Sequence, residues 1–115
     1  MDQFIALTND RGLYKKILKS GSGPFPTDNS KVLVLSKGAL EDGSLIEESP
    51  QDGTHIDLSQ NSVIKGLQIG VKSMQKGEKA IFVMRDDYAY GEKGNLLVPS
   101  STSLFFCIDL IDFYN

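Results

Sequence analysis

The sequence predicts an α+β domain in which antiparallel strands surround one central helix. Three observations carry that expectation. Short apolar or alternating runs recur along the chain, separated by Gly, Pro and Asp-Gly turns. A single stretch, NSVIKGLQIGVKSM (residues 61–74), sets Val63, Ile64, Leu67, Val71 and Met74 at the helical period. The final run, residues 103–113, alternates: Leu104, Phe106, Ile108 and Leu110 share one face, opposite Phe105, Cys107, Asp109 and Ile111.

Local chemistry gives the elements in order. GLYKKILK (12–19) reads as a half-exposed strand, with a Lys-rich helix start as the alternative, and SGSGPFP (20–26) ends it. KVLVLS (31–36) reads as a short buried strand, and Asp42-Gly43 reverses the chain after it. SLIEES (44–49) is the next pairing candidate, PQDG (50–53) turns again, and THIDL (54–58) alternates as a further short strand. Ser59 or Asn61 is expected to cap the helix, and Gly66 and Gly70 make it depend on packing for its stability. KAIFVM (79–84) is a strand before the last one.

Composition narrows the function. At 115 residues the chain is one domain with a modest core, and 40% apolar with 23% charged residues is ordinary for a globular protein. A net charge of −3 and 12 scattered basic residues give no footprint for nucleic acid. No apolar run approaches the roughly 20 residues that span a bilayer, and MDQFIALT lacks the basic start and apolar centre of a signal peptide. A single Cys107 fits a reducing compartment, so a cytoplasmic protein without membrane or nucleic-acid partners is expected. His55 and Cys107 alone do not make a metal cage or a paired nucleophile. The carboxylates of Glu47-Glu48 and Asp86-Asp87 lie beside turns and read as solvated faces or caps, and GSG at 21–23 lacks the Lys-Ser/Thr of a phosphate loop. What remains is an apolar cup made by the start of the helix, DDYAYG (86–91), LLVP (96–99) and SLFF (103–106).

The order ALEDG (39–43), VIKGLQIGVKSM (63–74), GEKA (77–80), DYAYG (87–91), LVP (97–99) and SLFF (103–106) resembles the FKBP-type peptidyl-prolyl isomerases, the tacrolimus-binding immunophilins. The resemblance implies an FKBP-like fold over residues 12–113, a five- to six-stranded antiparallel sheet wrapped around one short helix, with residues 1–11 as an N-terminal extension. It implies a proline pocket lined by Tyr90, Val63, Ile64, Leu97, Val98 and Phe106. There the Tyr90 hydroxyl and the Ile64 amide donate to a substrate carbonyl, beside the Glu47 carboxylate. No cofactor is implied.

The departures from the family pattern sit in the same pocket. Leu67 stands where active members carry tryptophan on the floor, and Ser36, Ile46, Glu47 and Thr54 stand where they carry Tyr, Phe, Asp and Phe. Lost aromatic area implies weaker contact with a proline ring. Two readings follow. One is an isomerase of weak or altered activity that assists protein folding, acting on proline-containing peptides or proteins and binding tacrolimus-type macrolides weakly. The other is a catalytically degenerate module that holds a protein partner, or a chaperone complex if helical repeats follow.

Overall fold

The computed structural model describes residues 4–60, 63–90 and 102–114. Its strands are β1 (Ile5–Ala6), β2 (Leu13–Lys19), β3 (Lys31–Ala39), β4 (Leu45–Glu48), β5 (Thr54–Asp57), β6 (Lys79–Met84) and β7 (Leu104–Tyr114), with one α-helix, α1 (Lys65–Lys72). All pairings are antiparallel, in the order β1-β2-β6-β7-β3-β4, and β5 follows β4 along the same edge of β3. The α+β class is therefore as expected. The strand count among the described residues is seven rather than five or six, partly because Ile5–Ala6, in the stretch read as an extension, pairs with Tyr14 and Lys15 of β2.

The core lies between the sheet's inner face and α1. The alternation of β7 holds: Leu104, Phe106, Ile108 and Leu110 are buried while Phe105 and Ile111 are exposed. Val32 and Val34 of β3, and Ala80, Phe82 and Met84 of β6, extend this apolar layer. From the helix side come Leu67, Val71 and Met74, with Gly70 passing so close to the Phe82 ring that a side chain there would press on it. The two predicted reversals close as turns, with Gly43 and Gly53 at φ 89° and 95° and their amides donating to Leu40 and Pro50.

The strand expected over residues 12–19 is present as β2, where Leu13 and Lys15 turn inward together while Tyr14 and Lys16 face the other way. The expected helix cap is corrected. The helix begins at Lys65, so Val63 and Ile64 precede it, and its N-cap is Ile64 in an extended conformation without a side-chain cap. Ser59 does not cap it because it lies well before Ile64, inside a separate 3-10 turn over Leu58–Gln60, where its hydroxyl donates to Asp57 at 2.6 Å. Asn61 lies outside the described residues.

β2 is held from below by an unexpected pair. Lys15 and Glu78 side chains, only 4% and 3% exposed, meet at 2.6 Å. The Lys15 ammonium also donates to the Ser73 carbonyl at the helix C-cap at 2.7 Å, joining strand, helix end and the turn before β6.

Candidate functional site

Strand register sets the site's first row. On the inner face, Phe82 of β6 lies opposite Phe106 of β7, Phe106 opposite Gly38 of β3, and Gly38 opposite Glu47 of β4. Gly38 matters because a Cβ there would run into the Phe106 ring, so the aromatic edge rests directly on backbone. A β-bulge in β4 makes Ile46 an extra residue between the pairs Ala39–Leu45 and Gly38–Glu47. Bulges re-aim side chains, and here Ile46 is buried against the core while Leu45 and Glu48 remain outside.

The opposite wall comes from the helix start and the turn after β6. Val63, Ile64 and Tyr90 are partly buried against the core, and Leu67, on the first turn of α1, is buried beneath them. The 3-10 turn Asp86–Tyr88 delivers the two tyrosines in different directions. Tyr88 is buried, with its hydroxyl donating to Asp10, whereas Tyr90 keeps part of its surface in solvent.

Electrostatics joins Tyr90 to Glu47. Burial raises the Tyr90 hydroxyl above its ordinary value, and the negative charge of Glu47 raises it further, so it stays a proton donor throughout the neutral range. Partial desolvation likewise raises the Glu47 carboxyl, although the residue as a whole is exposed. Among the described residues no hydrogen bond joins the two, so the glutamate acts on the tyrosine through space.

Ser36 lies on the same side of β3 as Val34 and Gly38, opposite Ile108. Its amide donates to the Ser49 hydroxyl at 3.0 Å, and Thr54 lies opposite Val34 on the neighbouring edge. The structure thus gathers Glu47, Phe106, Ile46, Val63, Ile64, Leu67 and Tyr90 around the inner side of one end of the sheet. Leu97 and Val98, with the rest of LLVP, lie outside the described residues.

Sequence reasoning missed two features. One is the hydrogen-bonded cluster around Asp10, whose only signal was the turn-forming TNDRG before β2. The other is a cavity of about 400 Å³ on the sheet's outer face, whose lining includes Leu35, Lys37, Glu48, Cys107 and Asp109 and also Ser36, a residue expected in the proline pocket. Strand alternation puts it across the sheet from Phe106, and Lys37 and Glu48 already pair across its rim at 3.4 Å. Cys107 there is an unpaired thiol held above its ordinary value by burial. Among the described residues no group of three or more His, Cys, Asp or Glu could hold a metal, and no helix is long and apolar enough to cross a membrane.

Comparison with known proteins decides the family. The model of the FKBP-type peptidyl-prolyl cis-trans isomerase family matches residues 23–111. The chain belongs to this family. The FKBP-type protein FkpA of Escherichia coli K12 is 32% identical over 105 residues, covering 91% of this chain and 39% of its own. The "inactive peptidyl-prolyl cis-trans isomerase FKBP6" of mouse is 33% identical over 118 residues, covering 96% of this chain and 35% of its own. A crystal structure of a peptidyl-prolyl cis-trans isomerase from Pseudomonas syringae aligns with a TM-score of 0.91 at 32% identity, over 100% of this chain and 84% of that one. The chain spans little more than a third of the length of the curated relatives it matches. Within the FKBP family, then, the relatives it resembles include both a protein named as an isomerase and one named as inactive.

Proposed function

We propose that this FKBP domain is a peptidyl-prolyl cis-trans isomerase of reduced activity, acting on proline-containing segments of other proteins as a cytoplasmic folding assistant. In this reading residues 12–113 form the domain and residues 1–11 precede it. The carrying observation is the pairing of a half-exposed Tyr90, kept protonated beside Glu47, with a Phe106 edge seated on Gly38.

The chemistry needed is modest. Rotation about an X-Pro amide faces a barrier of about 18–20 kcal/mol because planarity carries resonance. A groove that binds the twisted amide more tightly than the planar one lowers that barrier without any covalent step. The apolar residues Ile46, Val63 and Leu67 would take the proline ring and exclude water from it, with the buried Phe106 ring supporting them from behind. The Tyr90 hydroxyl and the Ile64 amide would donate to substrate carbonyls. Reduced activity follows from Leu67, Ser36 and Thr54, which offer less surface than the aromatic residues of active members.

A coupled isomerisation assay over a panel of residues before proline tests the reading. Slow catalysis above the spontaneous rate is expected, and Tyr90→Phe should lower it about tenfold or less while leaving the unfolding temperature nearly unchanged, as for loss of one hydrogen bond. A wild-type rate equal to the spontaneous rate across the panel would defeat the enzyme reading. It would leave the second one, a module that holds a proline-containing protein partner or a chaperone complex. The likeness to FKBP6, a protein named as inactive, favours that second reading.

A further inference from the structure

We infer that Asp10 is a positioning residue for the groove, acting through Tyr88 to fix both the Tyr90 loop and the start of α1. This rests on the groove reading above and adds a part of the chain that the family match, residues 23–111, does not include.

The geometry is unusually complete for a surface turn. The Tyr88 hydroxyl donates to both oxygens of Asp10, at 2.8 and 3.0 Å. Asp10 Oδ1 also accepts from the Thr8 hydroxyl at 2.7 Å and the Gly12 amide at 3.0 Å. Asp10 Oδ2 takes the Arg85 guanidinium at 3.1 Å, and that guanidinium also holds Asp87 at 2.7 and 2.8 Å. The Arg85 amide donates to the Gly12 carbonyl at 2.7 Å, so backbone and side chains together tie the turn before β2 to the turn after β6.

Tyr88 is where these bonds reach the groove. Its ring lies against Gly12 so closely that any Cβ there would collide with it. The Lys65 ammonium sits 4.8 Å from the ring centroid, a cation–π contact made by the residue that follows Ile64. The Tyr88 carbonyl approaches Gly66, the next position of the helix, to the point where a Cβ would crowd it. One ring therefore serves as common reference for the two proposed donors: Tyr90, two residues along the turn, and the amide of Ile64, one residue before Lys65. A proline peptide spanning both donors needs their separation fixed, because a donor displaced by about an ångström makes a much poorer hydrogen bond.

The test labels the chain with 3-fluorotyrosine and follows the four tyrosine signals, that of Tyr90 being assigned by its loss in Tyr90→Phe. Asp10→Ala and Tyr88→Phe should each shift or broaden the Tyr90 signal. Asp10→Asn, which keeps an acceptor for Tyr88 and Gly12, should move it less. In the isomerase assay kcat/KM should fall about fivefold or more in the first two variants and recover partly in Asp10→Asn. Val32→Ala, a core change matched for loss of unfolding temperature, should leave the Tyr90 signal where it was. An unmoved Tyr90 signal in Asp10→Ala and Tyr88→Phe overturns the inference, as does an equal movement in Val32→Ala. A moved signal with unchanged kcat/KM overturns it too. Absence of any wild-type rate defeats the isomerase reading alone, since the fluorine signals still decide whether Asp10 fixes Tyr90.

Discussion

Leu67 is the side chain on which the depth of the proposed groove would depend. It is buried on the first turn of α1, directly under the segment that holds Val63 and Ile64. A leucine there leaves less ring-stacking surface than an indole would, and Ile46 on the β4 bulge is similarly smaller than a phenyl ring. Adding about 100 Å² of apolar contact would strengthen binding by roughly 2.5 kcal/mol at 25 cal/mol per Å². An indole forced into a site already closed around leucine costs about 1–3 kcal/mol in overpacking. Leu67→Trp combined with Ile46→Phe is therefore expected to improve tacrolimus affinity by up to about tenfold, with a lower unfolding temperature. Calorimetry on the wild type and the double variant measures this. Tight wild-type binding, or a folded double variant without gain, would remove Leu67 and Ile46 from the ligand surface.

Elements show where sequence reasoning succeeded and where it could not. The alternation of β7 was legible because one face of an antiparallel strand is buried and the other is not, and the 61–74 period was legible because α1 packs a single stripe on the sheet. The helix start was not legible, since α1 is capped by Ile64, an extended residue with no capping oxygen on its side chain, while Ser59 belongs to a separate 3-10 turn. The inward lysine of β2 was not legible either. Lysine ordinarily signals solvent, and its partner Glu78 lies far along the chain, brought near only when β2 pairs with β6. Breaking such a pair leaves one charge buried without its partner, which costs about 3–5 kcal/mol. Lys15→Ala should lose stability of that order in urea unfolding, and Lys15→Met with Glu78→Leu should regain most of it. A loss below about 1 kcal/mol for Lys15→Ala would mean that water reaches Glu78 in the native state.

At the scale of the molecule, acid tolerance follows from how the fold treats its carboxylates. Asp10, Asp42, Asp57, Asp87 and Asp112 are all held below the ordinary value of 3.8, chiefly by hydrogen bonds from Thr8, Ser44, Ser59, Arg85 and Lys76. Below pH 3.8 the unfolded chain takes up protons at these positions before the folded one does. The stability they contribute is thus complete above that pH and is lost as the pH falls further. Glu47 works the other way, because its folded carboxyl is raised above 4.5 by desolvation. Between 4.5 and that raised value the folded state binds the proton more readily, so mild acidification favours the fold. The expected profile of unfolding temperature is a shallow rise as the pH falls to 4.5, followed by a fall below pH 3.8. All of these groups are exposed enough for salt to screen them, so each contributes little and the fall is their sum. Glu47→Gln should abolish the rise and keep the fall, since its amide cannot take up the proton. Circular dichroism melts at half-unit pH steps in low salt measure both variants. A rise that survives in Glu47→Gln would assign it to another group, and a profile that stays level down to pH 2.5 would mean that the aspartate hydrogen bonds persist in the unfolded chain.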